Sequence, residues 1–194
     1  MSTMSKLFDP NKAAILRSDD RLRWNNPAEI VAAVDIAPGS RVAEIGCGNG
    51  WFTFDLERAV RPRGMIYALD MQTAMLQILE THRQNYERIL MLPCEENAFD
   101  LDDGEVDVVF HANVLHECSE PVVHLREANR VLKSGGKLIV IEWKPGVGED
   151  EPGPRADYRL APASTREFAG NADFAVDDTR DIGPYHYAVL ATKK

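Results

Sequence analysis

The stretch RVAEIGCGNGWFT, residues 41–53, decides how the rest of the chain is read. Val42, Ala43 and Ile45 form a short apolar run broken only by Glu44, which gives way at once to Gly46, Gly48 and Gly50 before an amphipathic segment begins. The order is strand, glycine turn, helix. Glycines at alternate positions let the backbone turn with no Cβ in the way, so a ligand can lie against main-chain amides at the start of the following helix. Twenty residues beyond Gly50, the run Met65-Ile66-Tyr67-Ala68-Leu69 ends in Asp70, a carboxylate at a strand tip able to accept both hydroxyls of a ribose. The dinucleotide fingerprint G-x-G-x-x-G is not met, because Trp51 stands where its third glycine belongs, and Glu44 sits just inside the turn. This argues for a nucleotide-like ligand other than NAD.

Composition bounds the partners. A chain of 194 residues, 44% hydrophobic, suits one domain with a substantial core. A net charge of -9 disfavours nucleic acid or an anionic membrane, either of which calls for a basic face, and leaves a small molecule as the expected partner. No apolar stretch is long enough for a bilayer and no signal peptide is recognisable, so the expectation is a cytoplasmic protein. Cys47, Cys94 and Cys118 are widely spaced and form no C-x-x-C pair, which a reducing compartment permits.

Further segments resemble the class I S-adenosylmethionine-dependent methyltransferases, and among them the group that includes the ubiquinone/menaquinone C-methyltransferases. The matching pieces are VAEIGCGNGWFT, the acid of YALDM, CEENAFDLDDGEVDVVF, HANVLHE, EANRVLKSGGKLIVIEW and the closing IGPYHYAVLATKK, together spanning residues 35–194. The resemblance implies a single doubly wound α/β, Rossmann-like domain, its seven-stranded, mostly parallel sheet ending in an antiparallel strand. It implies S-adenosyl-L-methionine as cofactor, with Gly46, Gly48, Gly50 and Glu44 around its approach and Asp70 on its ribose. It also implies that Met71 covers the adenine and that Glu95 receives the adenine amino group, with Cys94 at the family's usual glycine. The methyl acceptor is not specified, since these motifs bind the donor.

In chain order, residues 1–34 read as a helical cap: a loose start at 1–7, a helix from Asp9-Pro10 to Arg17, a short piece at 20–24, and a capping box Asn26-Pro27-Ala28-Glu29 opening a helix to Val34. Trp24 either packs or lines the site. Residues 71–86 carry Met75, Leu76, Ile78 and Leu79 at helical spacing, and short strands follow at 89–92 and 106–110. His111, Ala112 and Asn113 stand at the second strand's tip, where open α/β sheets bind ligands, and are expected with His116 to face cofactor and acceptor. His116 is the candidate base, since imidazole titrates near ~6.5 and can take a proton from a hydroxyl, amine or acidic carbon. A metal site at His111, His116, Glu117 and Cys118 is not supported, because position 120 is Glu and H-E-x-x-H is absent. A thiol site joining Cys94 and Cys118 for a soft acceptor is the remaining possibility of that kind.

A helix over 120–132 is expected to end at Gly135-Gly136, and a strand over 137–143 brings Glu142 and Trp143 to its tip. Residues 144–162, with four prolines, read as a flexible linker or flap, and Ser164-Thr165-Arg166-Glu167 as a capping box. Two final strands, 172–181 and 185–192, flank Gly183-Pro184. That turn falls at the sheet's carboxyl edge, which makes Tyr185 and His186 candidate catalytic residues on opposite faces, one of them expected to meet Glu142 or His116. The function that follows is methyl transfer to a small molecule; a non-catalytic cofactor-binding module and, further off, an NAD-dependent oxidoreductase are the alternatives.

Overall fold

The computed structural model describes residues 8–83, 85–146 and 152–194, so the loose start expected at 1–7 and the middle of the expected linker lie outside the described residues. Pro10–Arg17 forms a 3-10 helix, followed by α1 (Asp19–Leu22), α2 (Pro27–Ala33), β1 (Arg41–Ile45), α3 (Thr53–Val60), β2 (Met65–Asp70), α4 (Thr73–His82) and β3 (Ile89–Pro93). Then come β4 (Val106–Ala112), a 3-10 turn at Leu115–Glu117, α5 (Pro121–Val131), β5 (Leu132–Trp143), a second 3-10 turn at Ala156–Tyr158, α6 (Pro162–Asn171), β6 (Phe174–Ile182) and β7 (His186–Lys193).

The seven strands lie in the order β3-β2-β1-β4-β5-β7-β6, with β7 antiparallel to both neighbours. The expected doubly wound sheet is therefore present. Strand order reverses between β1 and β4, which opens a crevice at the carboxyl ends where such sheets bind ligands. Alternate residues of each strand feed two apolar layers. Val42, Ile66, Val108, Phe110, Ile139 and Ile141 pack towards α2, α3 and α4, while Ala43, Ile45, Leu69, Val109, Leu138 and Val140 pack towards α5 and α6. Both faces are covered, which is why the parallel strands read as nearly continuous apolar runs.

Local signals were partly overridden. Asn26 does cap α2, but its Oδ1 accepts from the Ala28 amide while its Nδ2 donates to Glu29, so Glu29 does not close a reciprocal box. α6 begins at Pro162, ahead of the Ser164-Thr165-Arg166-Glu167 signal, because proline at the first turn forfeits no hydrogen bond. Thr165 is then free to bury and meets the Tyr187 hydroxyl at 2.7 Å. α5 ends at Val131, ahead of Gly135-Gly136: Leu132 already pairs with Val106, Gly135 takes φ 73° in the irregular stretch that follows, and the ladder resumes at Val108–Lys137.

Candidate functional site

A cavity of about 750 Å³ opens at the carboxyl edge of β1, β2, β4 and β5. That is within the ~300–1,000 Å³ usual for small-molecule sites. The glycine turn forms its floor. Gly46, Gly48 and Gly50 all have positive φ (67°, 56° and 86°), but they serve different ends. A Cβ on Gly46 would stand 2.5 Å from Val114, and one on Gly50 2.4 Å from Leu79 and 3.1 Å from Phe54, whereas one on Gly48 meets nothing within 4 Å. Gly48 thus keeps open the space that a ligand would enter. Gly50, expected around the cofactor's approach, is buried, and a side chain there would run into α3 and α4. Gly50→Ala is therefore expected to lower stability by about 1–3 kcal/mol, from overpacking, and to leave cofactor affinity of the folded protein near wild type. Thermal unfolding alongside calorimetry separates the two effects.

Asp70 faces the turn from the tip of β2. Its Oδ2 accepts from the Gly48 amide and its Oδ1 from the Gln72 amide, both at 2.8 Å, so the carboxylate also fixes the turn's conformation. Burial pushes its pKa up against these amide bonds. Met71, exposed, and Glu95 line the same cavity, as do Cys94 and Glu96. The Glu96 carboxylate accepts from the Ser119 amide at 2.6 Å and the Ser119 hydroxyl at 2.7 Å, just ahead of α5.

Glu44, expected around the cofactor's approach, is 3% exposed and is not among the residues lining the cavity. It shares the Val42 face of β1, points towards α3, and accepts from the Thr53 hydroxyl at 2.6 Å. Burial raises its pKa from 4.5 to about 8. The folded state thus holds a proton that the unfolded chain releases above pH ~4.5, and this group's contribution to stability is full below that pH and lost as pH climbs through 8. Glu44→Gln, which keeps the Thr53 bond without the ionisation, is expected to lose less Tm than wild type between pH 6 and pH 9. Parallel melting curves on the cofactor-free proteins test this.

His111, expected to face cofactor and acceptor, is likewise not among the residues lining the cavity. One residue out of phase with Ala112, it points to the α5 side of β4, where its ring lies 4.9 Å from that of His124 and neither ring nitrogen has a partner among the described residues. Burial holds its pKa well below the ordinary histidine value. Asn113, with φ 63°, does line the cavity, its backbone amide tied to the Ile141 carbonyl at 2.8 Å while both side-chain polar atoms stay unpartnered among the described residues. A buried, unsatisfied amide in a cavity wall fits a polar ligand.

His116 also lines the cavity, and its surroundings are those of an oriented base. Its Nδ1 lies 2.8 Å from Oε2 of Glu142, whose Oε1 accepts the His116 amide at 3.2 Å. Glu142 is fully buried at the tip of β5. With Nδ1 donating to this carboxylate, Nε2 is left as the acceptor. Glu117, next in sequence, also lines the cavity, and burial raises its pKa to about 7.

The β6–β7 turn lies at the carboxyl edge as expected, but its side chains are one residue out of register with the expectation. In an antiparallel pair, directly opposed residues share a face. Trp143 opposes His186, and Glu142 opposes Tyr187. His186 is fully buried, its ring 4.3 Å from that of Trp143 and 6.5 Å from that of Trp24, and its pKa falls to about 3 through burial and the nearby cations Arg21, Arg159 and Lys144. Such a group is a poor base. Neither His186 nor Tyr185 is among the residues lining the cavity, and Tyr187, beside Glu142, spends its hydroxyl on Thr165 and the Leu160 carbonyl.

Sequence reasoning missed most of the cavity's roof. Trp24 lines it, as one of its two readings allowed, joined by Arg21, Trp143, Pro152, Pro154 and Tyr158. The described end of the expected linker thus lies over the site. Arg17 donates to the Asn49 carbonyl at 3.3 Å, and Asn49 to the Ala13 carbonyl at 2.8 Å, which ties the N-terminal segment to the glycine turn.

A glycine turn and strand-tip acid facing a cavity at the switch point of a sheet in this order define the class I S-adenosylmethionine-dependent methyltransferase fold. The family pattern described as a methyltransferase domain matches residues 43–140. The chain belongs to that family, whose cofactor is S-adenosyl-L-methionine. A solved S-adenosylmethionine-dependent methyltransferase from Aquifex aeolicus is 28% identical, with a TM-score of 0.90 over 97% of this chain and 100% of that one. A demethylmenaquinone methyltransferase of Staphylococcus carnosus is 30% identical over 58% of this chain and 47% of its own. The chain spans about half the length or less of the curated relatives it matches. The [4+2]-cyclase SpnF, 19% identical over 86% of this chain and 79% of its own with a TM-score of 0.73, shares the fold alone.

Proposed function

We propose that this chain transfers a methyl group from S-adenosyl-L-methionine to a small-molecule acceptor. The observation that carries the reading is that Gly48, Asp70 and the Glu142-bound His116 border one cavity. Gly46, Gly48 and Asp70 would hold the ribose and methionine part of the cofactor, Met71 and Glu95 its adenine, and Asn113 a polar group beyond. When bound, the cofactor supplies an electrophilic methyl carbon on a sulfonium. The protein's part is to align the acceptor, exclude water beneath Trp24, Trp143 and Tyr158, and receive a proton at His116 Nε2 where the nucleophile must lose one. The likeness to demethylmenaquinone methyltransferases supports a small aromatic acceptor, and three free cysteines accord with the cytoplasm. Among the described residues no helix is long and apolar enough to cross a membrane.

Calorimetry with S-adenosylmethionine tests the donor half. Asp70→Ala is expected to weaken binding by about 1–3 kcal/mol, since the ribose hydroxyls lose a charged acceptor. Unchanged affinity in a folded variant would place the ribose elsewhere. Methyl-labelled donor incubated with phenols, quinols, amines and thiols tests the acceptor half; binding without label transfer to any of them would favour a cofactor-binding module.

A further inference from the structure

Arg21 is the cation that the methyl-transfer scheme leaves unused. It is 7% exposed, lines the cavity, and forms no ion pair among the described residues. Its Nη1 donates to the Leu16 carbonyl at 2.8 Å, and its Nε, buried, has no partner among the described residues. The guanidinium lies 4.8 Å from the centroid of the Trp51 ring and 5.9 Å from that of Trp24. Other cations nearby are already engaged: Arg155 with Asp157 at 3.0 Å, Lys144 with Asp181 at 2.9 Å, and Arg159 with the carbonyls of Pro152, Pro154 and Lys144. Burial with no compensating carboxylate brings the Arg21 pKa down to about 10, so it still carries its charge at neutral pH. A buried, charged fork between two indoles, in a protein of net charge -9, is costly unless an anion completes it.

We propose that Arg21 pairs with an anionic oxygen group of the methyl acceptor, a carboxylate on an aromatic ring that packs against Trp24 and Trp143 and presents its reacting atom to His116. This rests on the methyltransferase reading and adds the acceptor's charge to it. Planar guanidinium matches a carboxylate with two parallel hydrogen bonds, and the tilted pair Trp24–Trp143, 5.3 Å apart, supplies the apolar wall beside it. The cofactor's own methionyl carboxylate offers the same chemistry. Position favours the acceptor: besides Trp51 of the glycine turn, Arg21 faces Trp24, whose ring lies 5.3 Å from that of Trp143 at the tip of β5, the strand that also holds Glu142 against His116.

The chain's three tryptophans all line the cavity, so their fluorescence reads its occupancy. The probes are benzoate and benzamide, titrated into protein saturated with S-adenosylhomocysteine. The expected result is at least tenfold tighter binding of benzoate than of benzamide. Arg21→Gln is expected to erase that preference and leave S-adenosylhomocysteine affinity within twofold, while Arg155→Gln keeps the preference. No benzoate preference in the wild type, including no binding of either probe, overturns the proposal, and this comparison stands even where Arg21→Gln does not fold. A tenfold loss of S-adenosylhomocysteine affinity in Arg21→Gln, with 5′-methylthioadenosine affinity unchanged, also overturns it and assigns Arg21 to the cofactor carboxylate. A wild-type protein that binds no S-adenosylhomocysteine sinks the methyltransferase reading instead, and benzoate discrimination is then read on the cofactor-free protein.

Discussion

Gly48→Val is expected to abolish S-adenosylmethionine binding, with affinity falling at least ~100-fold, about 3 kcal/mol. Gly48 sits at φ 56°, and a side chain added there meets no protein atom within 4 Å because it projects into the cavity. Its amide is fixed by Asp70, so the turn cannot rotate to move the new side chain aside without breaking that 2.8 Å bond. Valine in a left-handed conformation also costs ~1–2 kcal/mol or more of stability. Gly48→Asn isolates the ligand clash, because asparagine tolerates this backbone conformation better while filling the same space. Both variants should fail to bind in calorimetry while keeping native circular dichroism. Wild-type affinity in either would show that the donor does not lie on this turn.

Loss of the His116 imidazole is expected to be as severe for turnover as loss of Gly48 is for binding. His116→Ala should lower kcat by ~10²–10⁴ for an acceptor that must be deprotonated, with cofactor affinity little changed. The reason is geometric: a fully buried Glu142 holds Nδ1 at 2.8 Å and so favours the tautomer in which Nε2 is the basic nitrogen. Glu142→Gln should act in the same direction through the tautomer it no longer enforces. Glu117 is the competing group, because burial sets its pKa at about 7 in the same cavity. Glu117→Gln should retain kcat within about tenfold, on the scale of general-base effects. If instead Glu117→Gln carries the loss and His116→Ala does not, the base has been assigned to the wrong neighbour. Steady-state rates of the three variants across pH 6–9 decide between them.

Strand, glycine turn, helix and strand-tip acid were legible because each is a local pattern. Val42 to Ile45 alternate faces, the three glycines have no side chain to obstruct the turn, and Asp70 closes an apolar run. Those residues pointed to a nucleotide-like ligand other than NAD, and the resemblance of the longer motifs to a known family supplied the class and the cofactor. Periodicity also contained, unread, the fact that Glu44 faces away from the cavity with Val42, and that His111 points to α5 with Val109. Strand parity is fixed by sequence, yet which parity faces the ligand depends on which helix layer covers each side.

The acceptor end was decided only in three dimensions. Register between β5 and β7 sets Glu142 against Tyr187, and one residue of offset places His186 outside the cavity lining, in tilted contact with Trp143. That register comes from the long-range pairing of strands separated by the linker and α6, for which no local motif exists. Arg21 gave no signal in the sequence, where it is one arginine in a short polar helix. Its meaning arises from burial between Trp24 and Trp51, residues brought together only when the N-terminal segment folds over the glycine turn. Sequence by itself determined the strand, glycine turn and strand-tip acid, because those need only nearest-neighbour sterics and the period of the strands, and its resemblance to a known family carried the class of fold. Tertiary structure decided what else the cavity holds, because burial, pairing and the absence of a counter-charge are properties of contacts between distant parts of the chain.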